Sequence, residues 1–495
     1  MEMVAEPAPT VRASLRQPLS LPRSRLCLLV LAMAAVAAAL QSFAIPLDCD
    51  VSWLITVSEK LLAGGRLYVD VIEPNPPASV WLYVPQVWLA GRLGLHVEAV
   101  VVATFIAAAA LSLWATLGLA ADLREPPEPL LLAAAIGFVT LILPLGVFAQ
   151  REHAALLLAF PALAALALVA DGRRLRYAAA LASGAAAGLV VVLKPHFALA
   201  ILPAAAFAAW RAGGLRPLVP ALVAGAGVAM AYAAAVVLLT PEYLKLAPKL
   251  VEVYLPMREQ FWALLRGPVI IVPLTILGLA ALLRPPRIAA LPAMFLLGTA
   301  GFALAGLLQA KGYLNHALPA MALGLVGLVL LARTPGIQAG RRRFVATAII
   351  FLGLIQLYPM ASIRPIPGLA EAVERTAPAN PTVLTLGPDL STGHPLVRHV
   401  HGRWVGSGPA MFVAAGARRS LAKSQDRATR SRLKEYYRGD IDAFVADVAR
   451  ERPDVVLVDA RPTVAWLRDE PAIRHAMRPY RRAARASDVE VWVRS

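Results

Sequence analysis

Uncharged or nearly uncharged runs recur along most of this chain, and many are long enough to cross a lipid bilayer as a helix. An α-helix rises about 1.5 Å per residue, so about 20 residues span a hydrocarbon core of about 30 Å. Such segments must be helical or closed into a barrel, because lipid offers no partner to backbone polar groups. The runs occupy residues 26–47, 99–121, 129–150, 154–170, 177–193, 195–210, 217–241, 267–283, 288–310, 312–332 and 344–363. The sequence therefore predicts an α-helical polytopic membrane protein with about eleven spans.

One further run, PNPPASVWLYVPQVWLAG at 74–91, is ambiguous because it holds several prolines and interfacial aromatic residues. If this run lies at the interface, the Lys and Arg of residues 1–343 divide into 16 on the inner side and 10 on the outer side. If it forms a twelfth span, the division becomes 12 against 14. The positive-inside rule favours the first arrangement. We therefore expect a cytoplasmic amino terminus, eleven spans and a carboxyl tail outside.

This topology predicts three parts. Residues 1–24 form a polar cytoplasmic amino terminus, residues 25–363 form the transmembrane domain, and residues 364–495 form a soluble extracytoplasmic domain. The first outer loop runs from 48 to 95. In the tail, three strand-like segments and a helical one predict a small α/β domain: TVLTLG at 382–387, DVVLVDA at 454–460, VEVWVRS at 489–495 and DIDAFVADVARER at 440–452.

Charge and cysteine content exclude two classes of protein. The net charge of +17 could indicate nucleic acid binding, but the basic residues lie between apolar runs and on the tail, so we expect no nucleic acid partner. Cys27 lies inside the first span and Cys49 follows it, so the two cysteines form neither a disulfide framework nor a zinc-binding pattern.

Two carboxylates follow the first span, in the stretch IPLDCDVSW. Asp48 and Asp50 are two residues apart, so in an extended chain both side chains point towards one cation or substrate. Carboxylates suit a divalent cation such as Mg²⁺ or Mn²⁺, although nothing else in the sequence completes a ligand set. Alternatively, Asp50 caps a short helix over 51–63 that lies on the bilayer surface, and Asp48 sits in headgroup water.

Arg151, Glu152 and His153 stand consecutively between two apolar runs, where desolvation of three polar residues is costly unless they face water or a polar cavity. In a functional interpretation, Arg151 grips a phosphate with its planar fork and Glu152 joins Asp50 in one cleft. In the alternative, the three residues form an interfacial turn that anchors two helices.

Lys194, Lys311 and His316 lie on the same predicted side of the membrane as these residues. A lysine at the end of a span commonly extends its ammonium to the interface, and this explanation stays open for both lysines. Cations and acids gathered at one membrane face also suit the phosphate of a lipid whose polar end projects from the bilayer.

The first outer loop resembles that of a known family. The stretches LDCD, LLAGG and YVDVIEPNPPASVWLY resemble the first outer loop of the GT-C superfamily of membrane glycosyltransferases, particularly its protein O-mannosyltransferase and aminoarabinose transferase branch. The resemblance implies a multi-pass enzyme of a bacterial inner membrane. Such an enzyme transfers a sugar, with inversion, from a polyprenyl-phosphate carrier to a hydroxyl of a lipid, glycan or protein on the extracytoplasmic face.

The same resemblance implies roles for individual residues. Asp50 takes the place of the catalytic acid, with Asp48 as an additional carboxylate and Glu152 near the second acid of the family. Lys194 corresponds to a lysine that precedes a Gly-Pro pair in relatives, although here Pro195 follows it directly. In this interpretation Asp50 is the general base, and the candidate substrate-binding residues are Arg151, His153, Lys194, Lys311 and His316.

Two other classes of function stay open at this point. A transporter or lipid flippase usually places polar residues and broken helices near the bilayer midplane, whereas here they gather at one face. A non-catalytic membrane assembly protein would use the soluble tail to recruit partners, and its outer acids would be replaceable.

Overall fold

The computed structural model describes residues 23–362 and 365–495. Nearly all of the expected cytoplasmic segment 1–24 lies outside these residues, and so does the expected domain boundary at 363 and 364. Within the described part, a helical domain is followed by a small domain built on a β-sheet, which confirms the predicted fold class.

Each of the eleven apolar runs is mainly helical in the structure. The helices are Arg23–Ala39 with a π-helical turn Leu40–Ala44, Val97–Ala121, Pro129–Gly137 with a π-helical turn Phe138–Ile142, Arg151–Ala170, Tyr177–Leu193, Ala198–Arg211, Val219–Leu239, Pro268–Leu283, Ala290–Gln309, Leu314–Ala332 and Ala339–Ala361. In the described residues, seven helices are long and apolar enough to cross a membrane, and three shorter ones are apolar. The protein is therefore a multi-pass membrane protein, while the number of eleven spans stays a prediction.

The ambiguous run 74–91 does not form one long helix. It divides into the short helices Ala78–Trp81 and Val84–Leu93, with Pro85 in the first turn of the second. Ten helical residues cover only about 15 Å, about half of a hydrocarbon core. This division agrees with an interfacial segment.

Two helices form the centre of the transmembrane domain. The most apolar windows of Arg151–Ala170 and Leu314–Ala332 are each 89% buried, whereas that of Arg216–Leu239 is only 6% buried and is exposed at the periphery. The two central helices pack against each other. Since each begins with polar residues, their first turns bring these residues together.

The first outer loop contains the predicted short helix, which runs over Cys49–Leu62 and is called here the first-loop helix. All eight residues from Val51 to Ser58 are buried within the protein, so the apolar face of the helix packs against protein and not against lipid, while its position relative to the bilayer surface stays a prediction. The soluble domain covers this helix, with contacts at Ser52 and Glu59. Two further outer helices, Glu242–Tyr254 and Phe261–Arg266, lie later in the chain.

The soluble domain contains a five-stranded sheet: β1 Thr382–Leu386, β2 Arg403–Trp404, β3 Val455–Asp459, β4 Tyr480–Ala486 and β5 Val489–Arg494. The strand order is β2-β1-β3-β5-β4; β1 pairs parallel with β2 and β3, and β5 pairs antiparallel with β3 and β4. Its helices are Leu369–Thr376, Leu396–His399, Phe412–Leu421, Arg427–Glu451, Trp466–Asp469 and Pro471–Ala476. The three predicted strands and the predicted helix are present; β2 and β4 are additional.

Candidate functional site

Asp48, rather than Asp50, caps the first-loop helix. Its Oδ1 accepts a hydrogen bond of 2.8 Å from the backbone N–H of Asp50, so the helix begins at Cys49, two residues earlier than the sequence suggested. Burial raises the pKa of Asp48 to about 7, and the negative charge of Asp50 adds to this effect. Capping therefore occupies Asp48 and leaves the Asp50 carboxylate available for other contacts.

The Asp50 carboxylate faces Arg151. Its Oδ2 lies 3.4 Å from Nη2 of Arg151, at the first residue of the central helix Arg151–Ala170. The Asp50 side chain is 34% exposed, whereas that of Arg151 is only 5% exposed. A carboxylate that solvent can reach thus contacts a buried guanidinium.

Arg151 has unused hydrogen-bonding capacity. Its Nη1 lies 3.4 Å from Ser79 Oγ, and its contact with Asp50 is equally long. Its Nε is buried and has no hydrogen-bond partner among the described residues. Buried guanidinium groups normally have their N–H groups filled, so these weak contacts leave donors of Arg151 that an anionic ligand could fill.

Glu152, Lys194 and His316 form a buried group next to Arg151, called here the polar cluster. Lys194 Nζ forms an ion pair with Glu152 Oε1 and lies 3.3 Å from His316 Nε2. His316 Nε2 is 3.6 Å from the same Glu152 oxygen. The second oxygen of Glu152 and Nδ1 of His316 are buried without a hydrogen-bond partner in the described residues. Within the described part of the chain, the polar cluster thus has one carboxylate oxygen and one ring nitrogen that are free to form hydrogen bonds with a ligand.

The structure adds polar residues that the sequence interpretation missed. Gln150 and Asn315, one position before Arg151 and His316, join the two central helices through a 2.6 Å side-chain hydrogen bond. Glu73 is fully buried and accepts bonds from Trp53 Nε1 at 2.5 Å and from the Asn75 backbone N–H at 2.8 Å. Burial raises the pKa of Glu73, and the nearby charge of Arg151 opposes that rise.

The structure does not bring His153 into the site. Its Nδ1 accepts a hydrogen bond of 3.1 Å from the backbone N–H of Ala149, and its ring packs against Phe148 and Phe105 at centroid distances of 4.8 and 5.5 Å. One residue after Glu152 on a helix, the side chain points about 100° away from its neighbour. His153 is therefore a fully buried core residue in this structure.

Lys311 is also held elsewhere. Its ammonium donates to the carbonyl oxygens of Tyr254 and Met257 at 3.2 and 3.3 Å and lies 4.3 Å from the centroid of the Tyr254 ring. Burial lowers the pKa of Lys311 to about 8, and the positive charge of Arg258 adds to this effect. These contacts tie the outer helix Glu242–Tyr254 to the loop before Leu314–Ala332.

Asp48 and Asp50 stay the two candidate ligands for a divalent cation. Within residues 23–362 and 365–495, no group of three or more His, Cys, Asp and Glu side chains is arranged to hold a metal ion.

The site can therefore bind an anion and accept a proton. A partly exposed carboxylate can receive a proton from an incoming hydroxyl, while a buried guanidinium and a buried ammonium stabilise negative charge. The site accordingly consists of Asp50, Arg151, Glu152, Lys194 and His316, with Asp48 as a helix cap.

The fold is similar to that of two solved structures of ArnT from Cupriavidus metallidurans. The apo structure matches with a TM-score of 0.53 at 14% identity, covering 95% of this chain and 98% of that one. The structure bound to undecaprenyl phosphate matches with a TM-score of 0.51 at 14% identity, covering 95% and 97%. The Archaeoglobus fulgidus oligosaccharyltransferase in its apo form gives a TM-score of 0.43 at 12% identity, covering 89% of this chain and 70% of that one.

No protein-family model and no curated protein matches the sequence. The likeness therefore rests on three-dimensional architecture, with a match that extends over nearly the whole of both chains. Because 95% of this chain is covered, the match includes both the helical domain and the sheet domain. The chain therefore shares its fold with these ArnT structures, in agreement with the fold that the GT-C resemblance of its first outer loop implies.

Proposed function

We propose that this protein is a glycosyltransferase that moves a sugar from a polyprenyl-phosphate carrier to a hydroxyl of an acceptor. The observation that carries the proposal is the contact between Asp50 and Arg151. A proton acceptor with access to solvent lies 3.4 Å from a buried guanidinium whose Nε has no hydrogen-bond partner among the described residues. Lys194 adds a second buried positive charge beside it.

In the proposed reaction, the acceptor hydroxyl attacks the anomeric carbon while Asp50 takes its proton. A carbon–oxygen bond forms to the acceptor, and the bond between the anomeric carbon and the phosphate oxygen breaks. Attack from the face opposite the phosphate inverts the anomeric centre. The electron pair of the broken bond stays on the polyprenyl phosphate, whose negative charge therefore increases during the step.

Arg151 and Lys194 stabilise that developing charge. Charge-assisted hydrogen bonds of this kind are shorter and stronger than neutral ones, and they act most strongly where water is excluded. Glu152 is fully buried and paired with Lys194. We assign to Glu152 the role of orienting Lys194 and keeping it charged, and to Asp50 the role of base.

Two further points support the substrate and the side of the membrane. One similar structure is described as bound to undecaprenyl phosphate, which fits a polyprenyl-phosphate donor for this chain. The soluble domain packs against the first outer loop, so both lie on one side of the membrane. The distribution of Lys and Arg supports the exterior as that side, which in a bacterium is the outer face of the inner membrane.

The proposal is tested by replacing the base. Asp50→Asn removes the proton acceptor but keeps the size of the side chain, and we expect transfer to fall by about 10²–10⁴-fold. Asp70→Asn is the matched control, because Asp70 is an acid of the same outer loop that is paired with the exposed Arg66. The assay measures release of undecaprenyl phosphate from a panel of synthetic undecaprenyl-phosphate sugars in detergent, with lipid, glycan and peptide hydroxyl acceptors supplied in turn.

Near-normal transfer by purified Asp50→Asn would show that the base is assigned wrongly. The acceptor class follows from comparing glycolipids, envelope glycans and glycoproteins of a deletion strain with those of its parent, each complemented with the wild type, Asp50→Asn or Asp70→Asn. A flippase would instead move the carrier lipid without changing its sugar. An assembly protein would tolerate alanine at Asp48, Asp50 and Glu152 together.

A further inference from the structure

The soluble domain grips the first-loop helix near both of its ends. Near the beginning, Ser52 Oγ and His394 Nδ1 lie 3.0 Å apart, and both side chains are buried. Near the end, Arg398 donates two hydrogen bonds to the Glu59 carboxylate, at 2.9 and 3.0 Å. Arg398 Nε also donates to Glu98 at 2.5 Å, at the start of the spanning helix Val97–Ala121. One guanidinium thus joins the soluble domain, the first-loop helix and the transmembrane domain.

Aromatic packing between these two contacts fixes which side of the helix faces the soluble domain. Trp53 packs edge-on against His394 and Trp404, at centroid distances of 5.5 and 6.2 Å. Its indole N–H donates to the buried Glu73. Turning the helix about its axis would separate these rings and leave the N–H of Trp53 without a partner, which is costly in a buried location.

Backbone contacts hold the remainder of the first outer loop to the same domain. Lys60 Nζ donates to the Gly406 carbonyl oxygen at 2.7 Å, and the Ile72 N–H donates to the Ser407 carbonyl oxygen at 2.7 Å. Asp447 accepts from the Ser407 N–H at 2.7 Å and so fixes the segment that makes these bonds. The segment 406–407 therefore serves as a fixed support for the loop.

These contacts decide where Asp50 stands. Ser52 and Glu59 are separated by about 10 Å along a helix, and a rigid helix held at two such points can neither shift nor tilt freely. Asp50 lies two residues before Ser52, within the same helix. Its own contact with Arg151 is 3.4 Å long, too weak to determine its position.

We propose that Arg398 and His394 are positioning residues for the reaction: they hold the first-loop helix so that Asp50 faces Arg151. The inference rests on the proposed function, since it assigns the soluble domain a part in placing the base. A displacement of about 1 Å at a reacting group costs up to about 100-fold in rate. Loosening this contact should therefore reduce turnover more than substrate binding.

The test uses the full-length protein and the conservative variant Arg398→Lys, which keeps the charge but loses the fork that reaches Glu59 and Glu98 together. We expect kcat to fall about tenfold, with KM for donor and acceptor changed by less than about threefold. The control is Arg432→Lys. Arg432 also joins the soluble domain to an outer element, through a 3.3 Å ion pair with Glu252, but it does not contact the first-loop helix.

A charge reversal separates positioning from folding. Arg398→Glu places three acids together and should lower kcat further than Arg398→Lys. Adding Glu59→Arg exchanges the two charges, so that positions 59 and 398 again form an ion pair and an arginine again lies near Glu98. This double variant should recover part of the lost kcat. Ser52→Ala and His394→Ala are tested singly and together. Because both changes remove the same contact, the double variant should lose no more kcat than the stronger single variant.

The outcomes are distinct. A selective loss of kcat in Arg398→Lys, recovered in part by the charge reversal, supports the positioning role. Equal kcat values for Arg398→Lys, Arg432→Lys and the wild type overturn that role alone, provided that Asp50→Asn is inactive. Absence of transfer by the wild type overturns the proposed function and this inference together. Full activity of Asp50→Asn overturns the assignment of Asp50 as the base, and with it this inference, but leaves the glycosyltransferase activity standing.

Discussion

The candidate site contains a buried arginine and the domain interface a partly buried one, and the hydrogen bonds of the two differ. Arg398, at the interface, has a side chain that is 16% exposed and makes three bonds of 2.5 to 3.0 Å to two carboxylates. Arg151, in the site, is 5% exposed, makes two contacts of 3.4 Å and has an unpartnered Nε.

This difference separates a structural arginine from one suited to a ligand. Filled N–H groups hold two protein segments together, so removing Arg398 loosens a contact between domains. Unfilled N–H groups in a buried place are unfavourable without a partner. The less satisfied arginine is therefore the one expected to bind substrate, and the following variants test that comparison.

The largest effect in this series is expected for Arg151→Lys. A lysine keeps the charge but cannot present a planar fork to a phosphate, so kcat/KM should fall by about 10²–10³-fold. Steady-state kinetics with an undecaprenyl-phosphate sugar measure the loss, and Arg398→Lys serves as the comparison with its smaller expected effect. Losses of similar size in the two variants would remove the distinction between the two arginines.

A loss of about 10²-fold in transfer is expected for Lys194→Met, together with a loss of about 3–5 kcal/mol of stability. The stability falls because the buried Glu152 carboxylate is left without its partner. Thermal unfolding in detergent measures this effect. Adding Glu152→Gln should recover most of the stability but not the activity, whereas recovery of both would assign Lys194 a purely structural role.

A smaller, pH-dependent effect is expected for Asp48→Asn, which keeps a capping oxygen and removes the charge. The folded-state pKa of Asp48 is raised to about 7 from an ordinary value of 3.8. Between these pH values the folded protein retains a proton that the unfolded chain has released, so this residue lowers stability as pH rises. The variant should therefore unfold a few degrees higher than the wild type at pH 8, with a smaller difference near pH 4.

Asp70→Asn, in the exposed part of the same loop, should show no such pH-dependent difference between pH 4 and 8. Transfer by Asp48→Asn should stay within about tenfold of the wild type, in contrast to Asp50→Asn. If Asp48→Asn were as inactive as Asp50→Asn, both acids would take part in the chemistry.

The smallest effect is expected for Lys311→Met. Its ammonium is bound by two carbonyl oxygens and an aromatic ring and makes no contact with Asp50, Arg151 or Lys194 among the described residues. We expect kcat and KM within about threefold of the wild type, measured beside Lys194→Met. A loss as large as that of Lys194→Met would place Lys311 in the reaction.

Local patterns in the sequence predict much of this fold. Hydropathy is a property of single segments, so the eleven apolar runs and the helix over 440–452 could be located directly. Strand β4 was missed because its sequence YRRAARA lacks the alternation of apolar and polar residues that marks a half-buried strand. Its place at the sheet edge, beside β5, depends on pairing with a distant segment.

The candidate site was predictable only in part. The predicted side of the membrane and the residue types identified Asp50, Arg151, Glu152, Lys194 and His316. They did not show which neighbouring residues have side chains that point away from the site. His153 follows Glu152 directly and points into an aromatic core, because successive helical residues face different directions. The capping role of Asp48 depended on where the helix begins, which sequence patterns locate only to within a few residues.

The covering of the first-loop helix by the soluble domain sets an order of assembly. Translation proceeds from the amino terminus, so residues 51–58 leave the ribosome more than three hundred residues before His394 and Arg398, their later partners. Until the last quarter of the chain is made and folded, these mostly apolar residues have no protein cover on that side. A truncated product that lacks the tail would leave this apolar segment exposed. Folding of the carboxyl-terminal domain is therefore needed to complete the structure of the first outer loop.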